Sequence, residues 1–172
     1  MMPGLYVGSA AQAENLELLE KYGITHILNC AGVPSRRVQR QERYAKQEYE
    51  EITPGNEHTV DIAQYFSKAH HFLDRARNAG GRALVYCPDV DRSGAVVISY
   101  LVKRGTSLLT AAKLLKDKRK VGMFNKGFMK QLAQFAKEKD GLQFNKPHMD
   151  LPNRTIYRVK HRPATSHLLT FI

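Results

Sequence analysis

Ala83-Leu84-Val85-Tyr86-Cys87-Pro88-Asp89-Val90-Asp91-Arg92-Ser93-Gly94-Ala95-Val96-Val97 decides how this chain folds. The apolar run into Tyr86 reads as a buried strand, and Cys87-Pro88 breaks it. From Ser93 the pattern resumes as a helix through Val96, Val97, Ile98, Tyr100, Leu101 and Val102. Strand, short loop and helix together gather backbone N–H groups and a helix N-terminus around one point, which is how proteins hold anions. A Cys that opens such a loop and an Arg that closes it suggest a thiolate nucleophile and a bidentate phosphate clamp.

Around this stretch lie 172 residues, 42% of them apolar and 25% charged, an ordinary balance for a soluble domain. Cys30 and Cys87 are the two cysteines, too few for a disulfide framework. They point to the cytoplasm or another reducing intracellular compartment. No apolar run approaches the roughly 20 residues that cross a bilayer, and the N-terminus shows no secretory signal. No membrane association is expected. The seven His (His26, His58, His70, His71, His148, His161 and His167) lack metal-ligand spacing, so neither metal nor cofactor is expected. The formal charge of +11 favours an acidic partner without choosing one.

Strands are expected at Leu5–Gly8, as a sheet edge, at Ile24–Cys30 and at Tyr49–Ile52, and helices at Ala10–Lys21, from Asp61 to Gly80, from Ser107 and after Asn125. The polar segment from Val33 to Glu48 reads as exposed, with a helix from Ser35 to Gln47. Alternating strands and helices predict an α/β fold with a central, mostly parallel sheet flanked by helices. It occupies residues 1–141. Residues 142–172 form an aperiodic basic C-terminal extension expected to dock a partner, and its apolar end, Leu168–Ile172, is expected to dock somewhere.

Several strings in this order resemble the atypical dual-specificity protein phosphatases of the cysteine-dependent protein tyrosine phosphatase superfamily. They are Leu5-Tyr6-Val7-Gly8, Ile24-Thr25-His26-Ile27-Leu28-Asn29, Asp61 to Phe66 with Ala69, Phe72 and Leu73, Leu84 to Cys87 with Arg92-Ser93-Gly94-Ala95, and Asn125-Lys126-Gly127-Phe128 with Gln131-Leu132. The resemblance implies the phosphatase fold. It also implies that Cys87 is the nucleophile, Arg92 the phosphate clamp and Ser93 the hydroxyl that helps the thiol leave. The general acid, an Asp in the family, falls near Asn56.

The loop departs from that pattern. The family places five residues between Cys and Arg; here Pro88, Asp89, Val90 and Asp91 are four. Pro88 offers no N–H. The loop's usual Gly is missing, and β-branched Val90 resists the positive φ that Gly allows. Asp89 and Asp91 each oppose a phosphate dianion by about 4 kcal/mol at 4 Å, taking an effective dielectric near 20. Both also discourage a Cys87 thiolate. Asn56 cannot donate a proton as an acid, although a shifted loop would offer Glu57 or His58. The favoured reading is a pseudophosphatase that serves as a binding or structural component of a larger assembly. The alternative is an active phosphatase of phosphoprotein that uses Cys87 and Arg92, with RNA or lipid phosphates as a variant. Blander readings make Cys87 a buried strand-end residue, Arg92 a partner of Asp89 or Asp91, and Ser93 a helix cap.

Three basic regions are candidate partner surfaces. The first is Arg36, Arg37, Arg40 and Arg43; the second is Lys116, Lys118, Arg119 and Lys120; the third is Arg154, Tyr157, Arg158, Lys160 and Arg162 in the tail. The expected partner is an acidic protein surface or a large assembly, cytoskeletal or ribonucleoprotein. Nucleic acid bound through charge alone is the third choice.

Overall fold

The computed structural model describes residues 4–31, 45–119, 125–141 and 170–171. A five-stranded sheet runs in the order β3-β2-β4-β1-β5. Its strands are β1 (Leu5–Gly8), β2 (His26–Asn29), β3 (Glu48–Glu51), β4 (Ala83–Tyr86) and β5 (Thr170–Phe171). The first four are parallel to their neighbours and β5 is antiparallel. Helices α1 (Ala10–Glu14), α2 (Leu16–Lys21), α3 (Phe66–Asn78), α4 (Asp91–Lys103), α5 (Leu108–Arg119) and α6 (Lys126–Gly141) cover both faces. The parallel core strands are buried on both faces, and this explains why β4 reads as a continuous apolar run.

Period-two alternation divides β4 between two cores. Leu84 and Tyr86 join Tyr6, Ala13, Leu19 and Ile27 beneath α1 and α2. Val85 and Cys87 join Val7, Leu28, Phe72, Val96 and Phe128 on the side of α3, α4 and α6. Phe72 follows the apolar stripe of α3 into that core and is 1% exposed. Burying a side chain of this kind contributes about 1.5–3 kcal/mol. Helix α4 is buried continuously from Arg92 to Val102 and packs against α3, α5 and α6. It anchors the end of the loop that precedes it.

Four sequence expectations are corrected. The helix expected over Ala10–Lys21 breaks at Asn15. The Asn15 N–H donates to the Gln12 carbonyl at 3.3 Å, while its side chain accepts from the Leu18 N–H at 3.0 Å. One residue thereby ends α1 and caps α2. Asp61 does not begin α3: a 3-10 turn, Ala63–Tyr65, whose cap position is Ile62, lies between them, and the Asp61 side chain accepts from the Gln64 N–H at 3.4 Å. Helix α4 begins at Asp91, two residues before Ser93, so Ser93 lies inside the first turn and is not its cap. Strand β1 is not an edge, because Thr170 and Phe171 pair with Val7 and Tyr6.

The helix expected over Ser35–Gln47 falls almost wholly outside the described residues; Ala45–Gln47 within them form a turn. Arg36, Arg37, Arg40, Arg43, Lys120, Arg154, Tyr157, Arg158, Lys160 and Arg162 also lie outside them. Lys116 and Lys118 are exposed on α5. No helix among the described residues is long and apolar enough to cross a membrane. The described residues hold no group of three His, Cys, Asp or Glu that could bind a metal ion.

Candidate functional site

The carboxyl ends of the parallel strands meet where β4 runs into its loop, the position at which open α/β sheets hold their ligands. Cys87 follows the last residue of β4, and the Cys30 N–H donates to the Tyr86 carbonyl at 2.8 Å from the neighbouring strand. The chain then turns through Pro88, Asp89 and Val90 into α4. Val90 has φ 72° and ψ −21°, the one positive φ outside glycine among the described residues. The four-residue loop imposes this left-handed turn on a β-branched side chain, at a cost of about 1–2 kcal/mol. The Val90 carbonyl accepts from the Gly94 N–H at 2.6 Å and so opens α4.

Cys87 is fully buried. Its Sγ lies 3.0 Å from the Ser93 hydroxyl and 3.3 Å from the Ser93 N–H. On another side it meets the Asp89 Oδ1 at 3.5 Å. Burial pushes the thiol up and the Ser93 contacts act against it; the Asp89 charge adds to the rise, and the Asp89 backbone N–H opposes it. Cys30, also fully buried, is pushed well up by burial and by its neighbour Cys87.

Arg92 is 7% exposed. Its Nη1 donates to the carbonyls of Ala31, at 2.6 Å, and Pro54, at 3.3 Å. These bonds fix the guanidinium between the end of β2 and the loop after β3. Nη2 is 3.8 Å from the Asp89 Oδ2, while Nε finds no acceptor among the described residues. Of the two carboxylates weighed as partners for Arg92, the ion pair forms with Asp89.

Asn56 donates from Nδ2 to the Asp89 Oδ2 at 2.7 Å. The loop after β3 therefore closes over the loop after β4. Asn125 holds it there: its Nδ2 donates to the Asn56 carbonyl at 2.8 Å, and its Oδ1 stands 2.9 Å from the His58 Nδ1. The same Oδ1 accepts the Gly127 and Phe128 N–H groups at the start of α6. Asp91 faces the Asn125 backbone N–H, and burial followed by the Asp89 charge pushes its carboxyl up. Cys87, Asp89, Arg92, Ser93 and Asn56 thus form one cluster, and Pro88 and Val90 shape it. Asn125 stands out in the sequence as part of a motif, but its positioning role shows only in the fold. The Ala31 and Pro54 carbonyls that hold Arg92 are not legible there at all, because backbone oxygens leave no mark on sequence.

The family model "Dual specificity phosphatase, catalytic domain" matches residues 5–138. The Arabidopsis thaliana protein "Dual specificity protein phosphatase 1" is 35% identical over 136 residues, which cover 78% of this chain and 66% of that one. Several other curated relatives are longer, and the chain spans 37% or less of their length. The crystal structure of human DUSP28 aligns with a TM-score of 0.72 at 27% identity, over 82% of this chain and 96% of that one. The human tyrosine phosphatase-like serine/threonine/tyrosine-interacting protein aligns with a TM-score of 0.68 at 25% identity, over 81% and 94%.

Proposed function

The chain belongs to the dual specificity phosphatase family, and we propose that within it this protein is a pseudophosphatase, keeping the scaffold as a binding component of a larger assembly. One observation carries this reading: the Cys87 sulfur faces the Asp89 carboxylate at 3.5 Å. A nucleophilic thiolate needs cations and N–H donors about it. Here burial foremost, with the Asp89 charge adding to it, holds the proton on sulfur against the pull of the Ser93 contacts. Asn56, at the position of the family's acid, hydrogen-bonds Asp89 and has no proton to give a leaving group. Absence of a general acid alone slows such a reaction by roughly 10²–10⁴-fold.

The partner is an acidic protein surface, in keeping with a net charge of +11 and with the exposed Lys113, Lys116 and Lys118 of α5. Cytoskeletal and ribonucleoprotein assemblies offer such surfaces, and the two buried free thiols suit a reducing intracellular compartment. A fold relative is named as an interacting, phosphatase-like protein, which supports a binding role for the scaffold. Nucleic acid, held through the same lysines, is the weaker option.

A second reading has its own support. The Ser93 N–H and hydroxyl both reach the Cys87 sulfur and favour its ionised form. On that reading Cys87 attacks a phosphoprotein and Arg92 clamps the phosphoryl group. Hydrolysis of a small aryl phosphate, with Cys87→Ser as control, decides between them. The pseudophosphatase reading expects no turnover above the control; turnover abolished by Cys87→Ser overturns it.

A further inference from the structure

We propose that Asp89 is the residue that determines what this loop can hold: its carboxylate is an internal occupant of the anion site, seated among the Cys87 thiol, the Arg92 guanidinium and the Asn56 amide. The inference rests on the pseudophosphatase reading and extends it from a missing activity to a blocked site.

Three contacts define the seat. Oδ1 is 3.5 Å from the Cys87 sulfur, and Oδ2 is 2.7 Å from the Asn56 Nδ2 and 3.8 Å from the Arg92 Nη2. These are the groups a phosphoryl ligand would meet: the thiol beneath it, the clamp beside it and the loop above it. One carboxylate touching all three leaves an external dianion to enter against a like charge at contact distance. The shortened loop supplies the means, since Val90 reverses the chain immediately after Asp89.

Arg92 shows that the seat still suits an anion and that Asp89 fills it imperfectly. Its Nη1 is bound to two carbonyls, which leaves Nε and Nη2, the edge that grips oxyanions bidentately. Among the described residues that edge meets Asp89 at 3.8 Å, too long for a good hydrogen bond, and Nε has no acceptor there. A buried N–H without a partner favours any oxygen that can reach it. The carboxylate is tethered by its own backbone and held by Asn56. A free tetrahedral oxyanion is not so constrained and would satisfy both N–H groups once Asp89 is gone.

The test is calorimetric titration of the full chain with orthotungstate, for wild type, Asp89→Asn and Asp89→Ala. Circular dichroism establishes that each is folded. Asn removes the charge and Ala removes the side chain. We expect no saturable binding by wild type and a gain on the order of 100-fold in at least one variant. The gain should disappear when Arg92→Lys, which lacks the fork, is added. Folded variants that both stay silent overturn the proposal, as does wild type binding tungstate as tightly as they do. Either result leaves the pseudophosphatase reading standing, because that reading falls only to Cys87-dependent turnover.

Discussion

His70 on α3 reaches Ser99 on α4, with Nε2 and Oγ 2.9 Å apart in the buried interior. Ser99 donates its one hydroxyl proton to the Val96 carbonyl at 2.8 Å, so its oxygen accepts from the His70 Nε2–H. The imidazole is neutral, its pKa lowered to about 4 by burial first and Lys103 second, with Asp74 acting against them. In the unfolded chain His70 takes a proton near its ordinary pKa of about 6.5. Stability from this group is therefore complete above pH 6.5 and is lost as pH falls toward 4. The loss is about 3 kcal/mol. Urea midpoints for wild type and His70→Gln should diverge at pH 7.5, where wild type is the more stable, and converge by pH 4.5. A gap that stays constant across this range would refute the linkage.

Val90 offers a test of backbone strain. At most positions Gly is less stable than Ala by about 0.5–1 kcal/mol, because its unfolded chain is freer. At φ 72° the order should invert, since Gly adopts this region without penalty and Ala does not. Both substitutions give up the burial of a side chain only 8% exposed, so the comparison between them isolates the backbone. Val90→Gly should be the more stable by about 1 kcal/mol in urea denaturation. Val90→Ala equal or better would mean that the turn carries no strain.

The Cys87 thiol should be a poor nucleophile toward small reagents as well. Burial foremost, with the Asp89 charge adding to it and the Ser93 contacts acting against it, pushes it above its ordinary value near 9.0. The rate of iodoacetamide labelling at Cys87, followed by mass spectrometry of the digested protein, should still be rising at pH 9. Asp89→Asn removes a carboxylate at 3.5 Å from sulfur without exposing it and should shift the profile to lower pH. Profiles that superimpose would show that Asp89 does not influence the thiol.

Much of this was legible in the sequence, and the exceptions have physical causes. The apolar run Ala83–Tyr86 and the stripe of α3 announce themselves because burial on two faces or one selects the residues directly. The short, acidic loop is equally plain. The start of α4 is not, because Asp91 and Arg92 are polar residues drawn into a helix by the turn at Val90. The break at Asn15 is hidden because Ala13 before it and the leucines after it still fit one helical stripe. The partners of Arg92 on Nη1 are backbone carbonyls far along the chain, brought close only by the sheet register. The apolar end of the tail signals docking, but its place beside β1, where Thr170 and Phe171 pair within the chain's own sheet, leaves no mark in the local sequence.

Asn125 and Gly127 give the sharpest test of how the loop carrying Asn56 is held. In the first turn of a helix Gly→Ala ordinarily stabilises, by up to about 1 kcal/mol. At Gly127 an added Cβ would fall on the carbonyl of His58, which is backbone and cannot rotate away. The loop would have to move, and the Asn56 carbonyl would leave the Asn125 Nδ2. Gly127→Ala should therefore destabilise, reversing the usual sign. Asn125→Ala removes the cap of α6 and the donor to Asn56 together and should cost about 2–3 kcal/mol. Asn125→Asp keeps an oxygen for the Gly127 and Phe128 N–H groups but places a second acceptor against the Asn56 carbonyl. It should recover the cap while leaving the loop released. Urea midpoints rank the three variants, and amide exchange over residues 55–60 reads the loop. Gly127→Ala that stabilises with unchanged exchange would show that His58 does not rest against this helix.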